Sequence, residues 1–350
     1  MAKTIRIRRG GATATVMASA GAMLAAAFGP SPAAAQDHDW KLSNGLPEGR
    51  QESAYLEAFA EDVAARTDGA VEITVYHGGS LGLEDADVLR WLPTGTAELG
   101  LIWAGYLGRD APALNAVYIQ GSVGTEEEHA AALPVLQDIY REALAESDIE
   151  TVAFMNLPML AVSVFCADEP VNSLEDLRDK KLRVWTRDQV ETFERLGVAA
   201  QIVAQTEMYV ALQTGVVDCA LYPARYAQSV SLQEVTDHAA YLYPVAALPY
   251  VVGAAEDVWA ELSPELQAEV TAAGEALWQT SVEGDTGAEA EREARAALEE
   301  AGVTWHDDFS AEDRRAFLDA AAETWAAIAE EAGPPAPSYR ERVLSAIGRE

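Results

Sequence analysis

The stretch from Ser173 to Pro223 alternates short apolar segments with short helical ones, and this alternation constrains the fold more than any other feature. Ser173 stands three residues before Asp176, the spacing of a capping box at a helix start. Gly215 occupies the place of a C-terminal cap. In order, the predicted elements are a capped helix from 173, a strand over 182–185, a helix ending at 197, a strand over 200–204, a helix over 206–214 and a strand ending at 223. Strands that alternate with helices indicate an α/β domain.

Arg183 has the clearest chemical implication of any residue in this stretch. It stands in a strand otherwise made of Leu, Val and Trp, where a buried guanidinium is costly unless an anion or a carboxylate meets it. We interpret Arg183 as an anion receptor, and the alternative is a structural arginine paired with Asp176 or Asp179. Trp185 lies two residues further on and on the same strand face, so its indole either lines the same cleft or packs in the core.

The N-terminal half shows a similar alternation. Its predicted elements are a strand from Trp40, a helix over 52–67, a strand over 71–75, a helix over 84–92 and a strand over 98–103. This βαβαβ order predicts a largely parallel sheet covered by helices. Ligand sites in such sheets lie outside the carboxyl ends of strands, and Trp103 and Tyr106 follow the third strand. They are therefore candidates for a pocket wall, with ordinary core or interdomain packing as the alternative.

Four motifs in these two regions resemble those of a known family. They are Gly78-Gly-Ser-Leu-Gly82, Leu174-Glu-Asp-Leu177, Lys181-Leu-Arg-Val184 and the segment from Tyr209 to Asp218, and the first differs from the family's GGQLG turn by Ser80. Over most of residues 40–305 the chain resembles the periplasmic solute-binding proteins of TRAP transporters, the DctP type. The resemblance implies an α/β fold like that of type II periplasmic binding proteins. Two α/β lobes would be joined by crossing strands, and a long helix would span both lobes.

The resemblance also implies roles for individual residues. Arg183 matches the arginine that clamps the substrate carboxylate in the family. Gln51, at the start of the first helix, stands where the family often has a polar ligand contact. Tyr222 stands where asparagine is common, and Ser163 stands where many acid-binding members have a second arginine.

The serine at that position limits the expected ligand. A single guanidinium fits a monocarboxylate or a zwitterion better than a dicarboxylate, and Trp103, Trp185 and Tyr222 would pack against a hydrophobic or cationic remainder. We therefore expect a small organic acid bound between two lobes that close by a hinge motion. The resemblance implies that the partners receiving this ligand are the membrane permease subunits of a TRAP transporter.

The N-terminus has the features of a secretory signal. Basic residues from Lys3 to Arg9 precede an apolar, Ala-rich run and the small residues Ala33-Ala-Ala35. This pattern predicts a signal peptide over residues 1–35, cleaved near Gln36, and a mature protein in the periplasm. General secretion fits the Gly-Gly-Ala that follows Arg8-Arg9, although the twin-arginine route stays open.

The remaining boundaries follow from the predicted crossings between the lobes. Lobe I is expected over 36–160 plus about 248–285, lobe II over 161–247 plus about 286–331, and a C-terminal tail or short helix over 332–350. One helix over 126–146 is expected to be interrupted near Pro134. The long helix that starts at Ser263 is expected to kink around Gly284 to Gly287.

The charge of the chain excludes two classes of partner. The net charge is −33, and because residues 1–35 carry four basic and no acidic side chains, the rest of the chain carries −37. Such a field repels nucleic acid and anionic membranes, so we expect neither as a partner. No later apolar run approaches the roughly 18 residues that span a bilayer, so no direct membrane insertion is expected. The acidic surface either suits saline surroundings or simply remains well solvated.

The chain shows no recognisable set of catalytic or metal-binding residues. The five histidines are scattered, and no metal-ligand spacing, P-loop or nucleophile elbow occurs. We therefore expect no cofactor and no enzymatic activity, while a ligand-sensing periplasmic module or an exported hydrolase on a similar scaffold are alternative functions. Cys166 and Cys219 allow a disulfide in an exported chain, and two buried thiols on neighbouring strands are equally compatible with the sequence.

Overall fold

The computed structural model describes residues 38–246, 249–284 and 288–349. Within them the strands are, in chain order, β1 (His38–Ser43), β2 (Val71–Tyr76), β3 (Leu99–Ile102), β4 (Ile149–Met155), β5 (Met159–Cys166), β6 (Lys181–Val184), β7 (Ala199–Ile202), β8 (Cys219–Pro223), β9 (His238–Ala246), β10 (Tyr250–Ala255) and β11 (Thr304–Trp305). The predicted signal peptide over 1–35 and the cleavage point at Gln36 lie outside the described residues.

The α-helices of the same residues surround these strands. They are α1 (Gln51–Arg66), α2 (Val88–Trp91), α3 (Pro112–Asn115), α4 (Glu126–Ala145), α5 (Leu174–Leu177), α6 (Arg187–Arg195), α7 (Gln205–Gln213), α8 (Ala224–Ala227), α9 (Glu256–Ala260), α10 (Pro264–Glu283), α11 (Ala288–Glu300), α12 (Ala311–Ala332) and α13 (Ala336–Ala346). Within the described part of the chain, no helix is both long enough and apolar enough to cross a membrane.

The first sheet has the strand order β2-β1-β3-β10-β4. β1 pairs in parallel with β2 and β3, as the βαβαβ order predicts. β10 returns from a distant part of the chain and runs antiparallel to both β3 and β4. Leu56, Phe59 and Val63 form the buried face of α1, so the helical spacing of apolar residues correctly identified the side that packs inward.

The second sheet has the strand order β11-β9-β5-β8-β6-β7. β6, which carries Arg183, lies between β7 and β8 and runs parallel to both. β5 runs antiparallel to β8 and β9. Cys166 and Cys219 are cross-strand partners in β5 and β8 and form a disulfide with a Cα–Cα distance of 4.1 Å.

The chain passes between the two sheets three times, and the last passage lies between β10 of the first sheet and β11 of the second. It leaves the first sheet after β4 and enters the second at β5, and it returns between β9 and β10. Residues 247 and 248 of the return crossing lie outside the described residues. The predicted α/β architecture with two sheets and crossing segments is therefore confirmed.

Two consecutive helices occupy the region where one long helix is predicted. α10 starts at the Ser263 cap, whose side chain accepts a hydrogen bond from the backbone N–H of Leu266, and it packs against α1 and β4 of the first sheet. A Cβ at Gly274 would lie 2.7 Å from the Val152 carbonyl oxygen, so this close approach requires glycine. α11 packs instead against α8, which follows a strand of the second sheet. The part of the predicted kink at residues 285–287 lies outside the described residues.

Two local predictions need correction. α4 is continuous, and Pro134 lies inside it on the exposed face, because the apolar face that includes Leu133 and Leu136 is buried on both sides of the proline. The predicted helix over 84–92 is instead a 3₁₀ turn over Asp85–Asp87 followed by the short α2. This break leaves Asp85 in a turn, outside the interior of a helix.

The C-terminal helices join parts of the molecule that are distant in sequence. α12 packs against α6, which follows β6, and against α3, which follows β3. Trp325 of α12 donates its indole N–H to the Ala116 carbonyl oxygen at 2.8 Å, and Phe317 stacks on Tyr243 of β9 with ring centroids 4.1 Å apart. α13 packs against α4 and α12. The side that carries the first sheet and the side that carries the second are therefore both in contact with α12.

Candidate ligand-binding site

A small cavity lies between the two sheets. Its volume, counted for the centres of water molecules, is about 60 Å³, so it has room for several small groups. Residues from both sides line it: Arg50, Trp103, Tyr106, Gln120, Leu157, Leu160, Arg183, Trp185, Gln205, Tyr222, Pro223, Tyr226 and Tyr250. The sequence-predicted residues Trp103, Tyr106, Arg183, Trp185 and Tyr222 are thus brought together.

Arg183 is the most deeply buried charged group in this lining. Arg183 is 1% exposed. Its guanidinium donates hydrogen bonds from Nε to the Val203 carbonyl at 3.0 Å and from Nη1 to the Leu221 carbonyl at 3.2 Å. Among the described residues no carboxylate forms an ion pair with it, and Asp176 instead accepts a hydrogen bond from the Ser173 hydroxyl. Burial lowers the pKa of Arg183. Its charge is solvated by carbonyl dipoles but is not neutralised.

Aromatic rings surround this guanidinium. The Cζ atom of Arg183 lies 5.7 Å from the ring centroid of Trp185 and 5.9 Å from that of Tyr222, within range of a cation–π interaction. Trp103 and Tyr106 meet edge to face with centroids 4.7 Å apart. The Tyr222 hydroxyl donates to Gln205 Oε1 at 2.8 Å. The lining therefore offers one positive group inside a largely aromatic enclosure.

Two of the predicted site residues are not in the cavity lining. Gln51 is exposed, on the first turn of α1. Ser163 is fully buried in β5, where it is the cross-strand partner of Tyr222, and its hydroxyl has no hydrogen-bond partner among the described residues. Both positions are close neighbours of residues that do line the cavity, because Arg50 precedes Gln51 and Tyr222 pairs with Ser163.

Arg50 corrects the expectation of a single guanidinium. It lines the cavity, but its Nε and Nη2 atoms each donate to a carboxylate oxygen of Glu52 at 3.0 Å, and its Cζ lies 3.6 Å from the ring centroid of Tyr226. The Tyr226 hydroxyl donates to the same Glu52 carboxylate. This group joins the loop after β1 to α8 across the cleft, and the Arg50–Glu52 pair adds no net charge.

The pKa values of this pair reflect its burial and its pairing. Burial acts to lower the pKa of Arg50, but the Glu52 carboxylate raises it above its ordinary value. Burial acts to raise the pKa of Glu52, and the charge and hydrogen bonds of Arg50 hold that pKa below its ordinary value. Both groups are therefore ionised near neutral pH. Arg50 lies at the far end of the loop between β1 and α1, whereas Trp103 directly follows β3, so the strand-end rule that identified Trp103 does not single out Arg50.

A wider opening, here called the entrance, adjoins the cavity and has a volume of about 400 Å³. It shares Tyr106, Arg183, Trp185 and Gln205 with the cavity and is further lined by Gly45, Leu46, Gly78, Gly79, Gly82, Leu83, Glu84, Asp85, Ala86, Ile202, Val203, Ala204 and Thr206. The motif from Gly78 to Gly82 thus forms part of its wall. Across the described residues no cluster of His, Cys, Asp or Glu side chains could hold a metal ion.

This arrangement, in which two α/β units enclose a small cavity with a buried cation, defines a two-lobed solute-binding protein. The chain belongs to the DctP family, the bacterial extracellular solute-binding proteins of family 7 that include the TRAP-type periplasmic proteins, because the family model matches residues 42–332. This finding confirms the resemblance seen in the sequence motifs.

Individual relatives support the same assignment. A solute-binding protein of Chromohalobacter salexigens is 28% identical over 71% of this chain and 76% of its own length. The ectoine-binding periplasmic protein TeaA of Halomonas elongata is 26% identical over 83% of this chain and 84% of its own length. A TRAP periplasmic solute-binding protein from Roseobacter denitrificans, solved with bound β-D-glucuronate, is 25% identical, with a TM-score of 0.74 over 89% of this chain and 100% of that one.

Proposed function

We propose that this chain captures a small organic acid between its two lobes and delivers it to the membrane permease subunits of a TRAP transporter. The observation that carries the proposal is Arg183, a buried guanidinium beside a small cavity with no carboxylate partner among the described residues. An anion that enters the cavity would stabilise this buried charge, and a carboxylate can accept hydrogen bonds from its remaining N–H groups. The deeply buried charges then favour a single carboxylate, because Glu52 already neutralises Arg50.

The ligands of two relatives are compatible with this proposal. β-D-Glucuronate, bound in the Roseobacter denitrificans structure, and ectoine, named for the Halomonas elongata protein, each carry one carboxylate. A shared carboxylate receptor with different surrounding residues would accommodate both. The aromatic lining formed by Trp103, Tyr106, Trp185 and Tyr222 would then contact the remainder of the ligand.

Closure of the lobes explains how binding would be signalled to the permease. We propose that the lobes have the boundaries predicted from the sequence and rotate about the three crossing segments and α12. Arg183 and Trp185 come from the second sheet, whereas Trp103 and Tyr106 follow the first. A ligand therefore contacts both groups together only in the closed state and stabilises it.

Replacement of Arg183 tests the binding role directly. Arg183→Gln removes the charge and is expected to abolish the increase in unfolding temperature caused by carboxylate ligands, because the anion then loses its counter-charge. A ligand at about a hundred times its Kd should stabilise the wild type by about 2.7 kcal/mol. The measurement is thermal unfolding against a library of organic acids and zwitterions.

Arg187→Gln is the matched control, because Arg187 is exposed and pairs with Glu191 and Glu331 outside the cavity. It should keep the ligand response of the wild type. If Arg183→Gln folds normally and binds carboxylates as tightly as the wild type, Arg183 is structural and the proposal fails. Co-purification with the permease subunits, together with N-terminal sequencing of the exported protein, tests the proposed partner and the cleavage near Gln36.

A further inference from the structure

Asp85 lies in the entrance, which Arg183 also lines, and its carboxylate pairs with no cation among the residues that the structure describes. We infer that the ligand carries a positive group in addition to its carboxylate, and that Asp85 binds this positive group. The inference rests on the proposed function and narrows the ligand class from organic acids to zwitterions. It makes Asp85 a residue that determines specificity.

The position of Asp85 is fixed by the turn in which it lies. The 3₁₀ turn over Asp85–Asp87 follows the glycine-rich segment after β2, and the carboxylate packs against Gly45, where an added Cβ would collide with it. The residue is half-buried and lines the entrance together with Arg183 and Trp185. The fold therefore holds the carboxylate against a surface that leaves no space for a side chain at Gly45.

Asp85 differs from the exposed Glu84, which also lines the entrance, because its unpaired carboxylate is half-buried. Within the described residues its carboxylate has no hydrogen bond or ion pair, whereas Asp87 and Asp110 pair with Arg90 and Arg109 on the outer surface. Burial, together with the charge of Glu84, raises the pKa of Asp85 to about 6. At neutral pH the group is thus mostly ionised in an environment that disfavours its charge. A cation beside it would remove that cost.

The space between Asp85 and Arg183 suits the body of a zwitterion. Tyr106 and Trp185 line both the cavity and the entrance, and aromatic faces attract ammonium and trimethylammonium groups. Tyr106 interacts electrostatically with both Asp85 and Arg183, and burial, followed by the charge of Asp85, raises its pKa to about 12. The buried Arg183 thus attracts the negative end of a ligand, and the half-buried Asp85, with the exposed Glu84 beside it, attracts the positive end.

The test uses matched ligands that differ only in the positive group. The probes are straight-chain carboxylates ending in trimethylammonium, their uncharged analogues ending in tert-butyl, and D-glucuronate, each titrated calorimetrically into the full mature protein. The wild type should bind the zwitterions about tenfold or more tightly than their uncharged analogues. Asp85→Asn should abolish that preference while retaining binding of the uncharged carboxylates through Arg183.

Asp87→Asn is the control, because it removes the same charge from the same turn but from an ion-paired surface position. It should keep the wild-type preference. A wild type that prefers the uncharged carboxylates, or an Asp85→Asn protein with an unchanged preference, overturns the inference while the proposed function stands. If no probe of any class binds, the proposed function loses its support and the inference fails with it.

Discussion

Arg183 and Arg50 are two guanidiniums in one cavity that differ in what balances their charge. Arg50 has a bidentate carboxylate partner, and Tyr226 adds a hydroxyl donor to that carboxylate and an aromatic face to Arg50. Arg183 has two backbone carbonyls and no carboxylate partner within the described residues. Only an uncompensated charge can use ligand binding to recover its desolvation cost. The presence of Arg50 therefore leaves the expected number of ligand carboxylates unchanged.

The raised pKa of Asp85 predicts a pH dependence of stability in the free protein. Its folded-state pKa of about 6 lies above the ordinary value of 3.8, so folding favours the protonated carboxyl and stability falls as the pH rises between these two values. Glu84 contributes to this cost, and Tyr106 and Arg183 are the other titratable groups that face the same space.

Asp85→Asn cannot ionise at this position and should not show that loss. Relative to the wild type, it is expected to gain stability from about pH 4 to about pH 6 and to keep a constant advantage above that range. Urea unfolding of both proteins without ligand across this range is the measurement. An advantage that is constant across all pH values would show that Asp85 titrates at its ordinary pKa.

The residues of the candidate site differ in how well the sequence could predict them. Arg183, Trp185, Trp103 and Tyr106 were found because strand ends and a charge inside an apolar strand are visible without a structure. Arg50 was missed because neighbouring loop residues point in different directions, and only the backbone after β1 decides which one reaches the cavity.

The carboxyl ends of strands are the elements that build the candidate site. Arg50 follows β1, Trp103 follows β3, Trp185 follows β6 and Tyr222 lies at the end of β8. Gln120 and Tyr250 come from a loop and from the start of the antiparallel β10. Tyr250 pairs with Met155 of β4, and Gln120 donates its backbone N–H to Asp188. Local sequence patterns do not reveal either of these long-range contacts.

The disulfide between β5 and β8 leads to a prediction about the stability of the fold. Replacing both Cys166 and Cys219 by serine is expected to destabilise the protein by about 2–4 kcal/mol, because the bond constrains the unfolded chain across 53 residues of sequence separation. Cys219 begins β8, whereas Tyr222 near its other end contacts the cavity. Ligand affinity should therefore change little.

Denaturant unfolding and calorimetric titration of the double variant test these two expectations. The wild type treated with a reductant is the control, since it should lose a similar stability without any change of sequence. A large loss of affinity in a protein that still folds would show that the disulfide also positions the site.

For the molecule as a whole, the two-sheet fold was predictable from the sequence, whereas the contacts between its two halves were not. The alternation of strands and helices along the chain and the crossings between two lobes follow from alternating segments and from the resemblance to a family. The contacts of α12 with both α3 and α6 depend on the packing of Trp325 and Phe317 against residues far away in the sequence. Side chains of this kind show only that a helix has an apolar face and do not identify its partners.

The hydrogen bond from Tyr226 to Glu52 gives a prediction about how lobe closure affects ligand binding. Tyr226→Phe removes the hydrogen bond that α8 makes to Glu52 across the cleft, and hydrogen bonds to charged groups contribute about 1.5–3 kcal/mol. If the lobes open in the free protein as proposed, the missing hydrogen bond destabilises the closed state and not the open one. Ligand affinity is then expected to decrease about tenfold or more, mainly through faster dissociation.

Stopped-flow measurement of ligand association and dissociation tests this expectation. Tyr209→Phe is the control, because its hydroxyl also donates to a glutamate, Glu234, but does so on the surface. That variant should bind like the wild type. An unchanged dissociation rate in Tyr226→Phe would mean that the contact does not distinguish the open state from the closed one.

The position of α12 implies that the choice of ligand and the rate of ligand release depend on different residues. The residues that contact the ligand lie in the cavity, whereas the packing of α12 on both halves involves Trp325, Phe317 and their partners elsewhere. If opening requires these helix contacts to shift, the helix sets how quickly the ligand is handed over, and the cavity sets which ligand is carried. A few substitutions in the cavity could then change which nutrient is carried without changing the rate of the transport cycle.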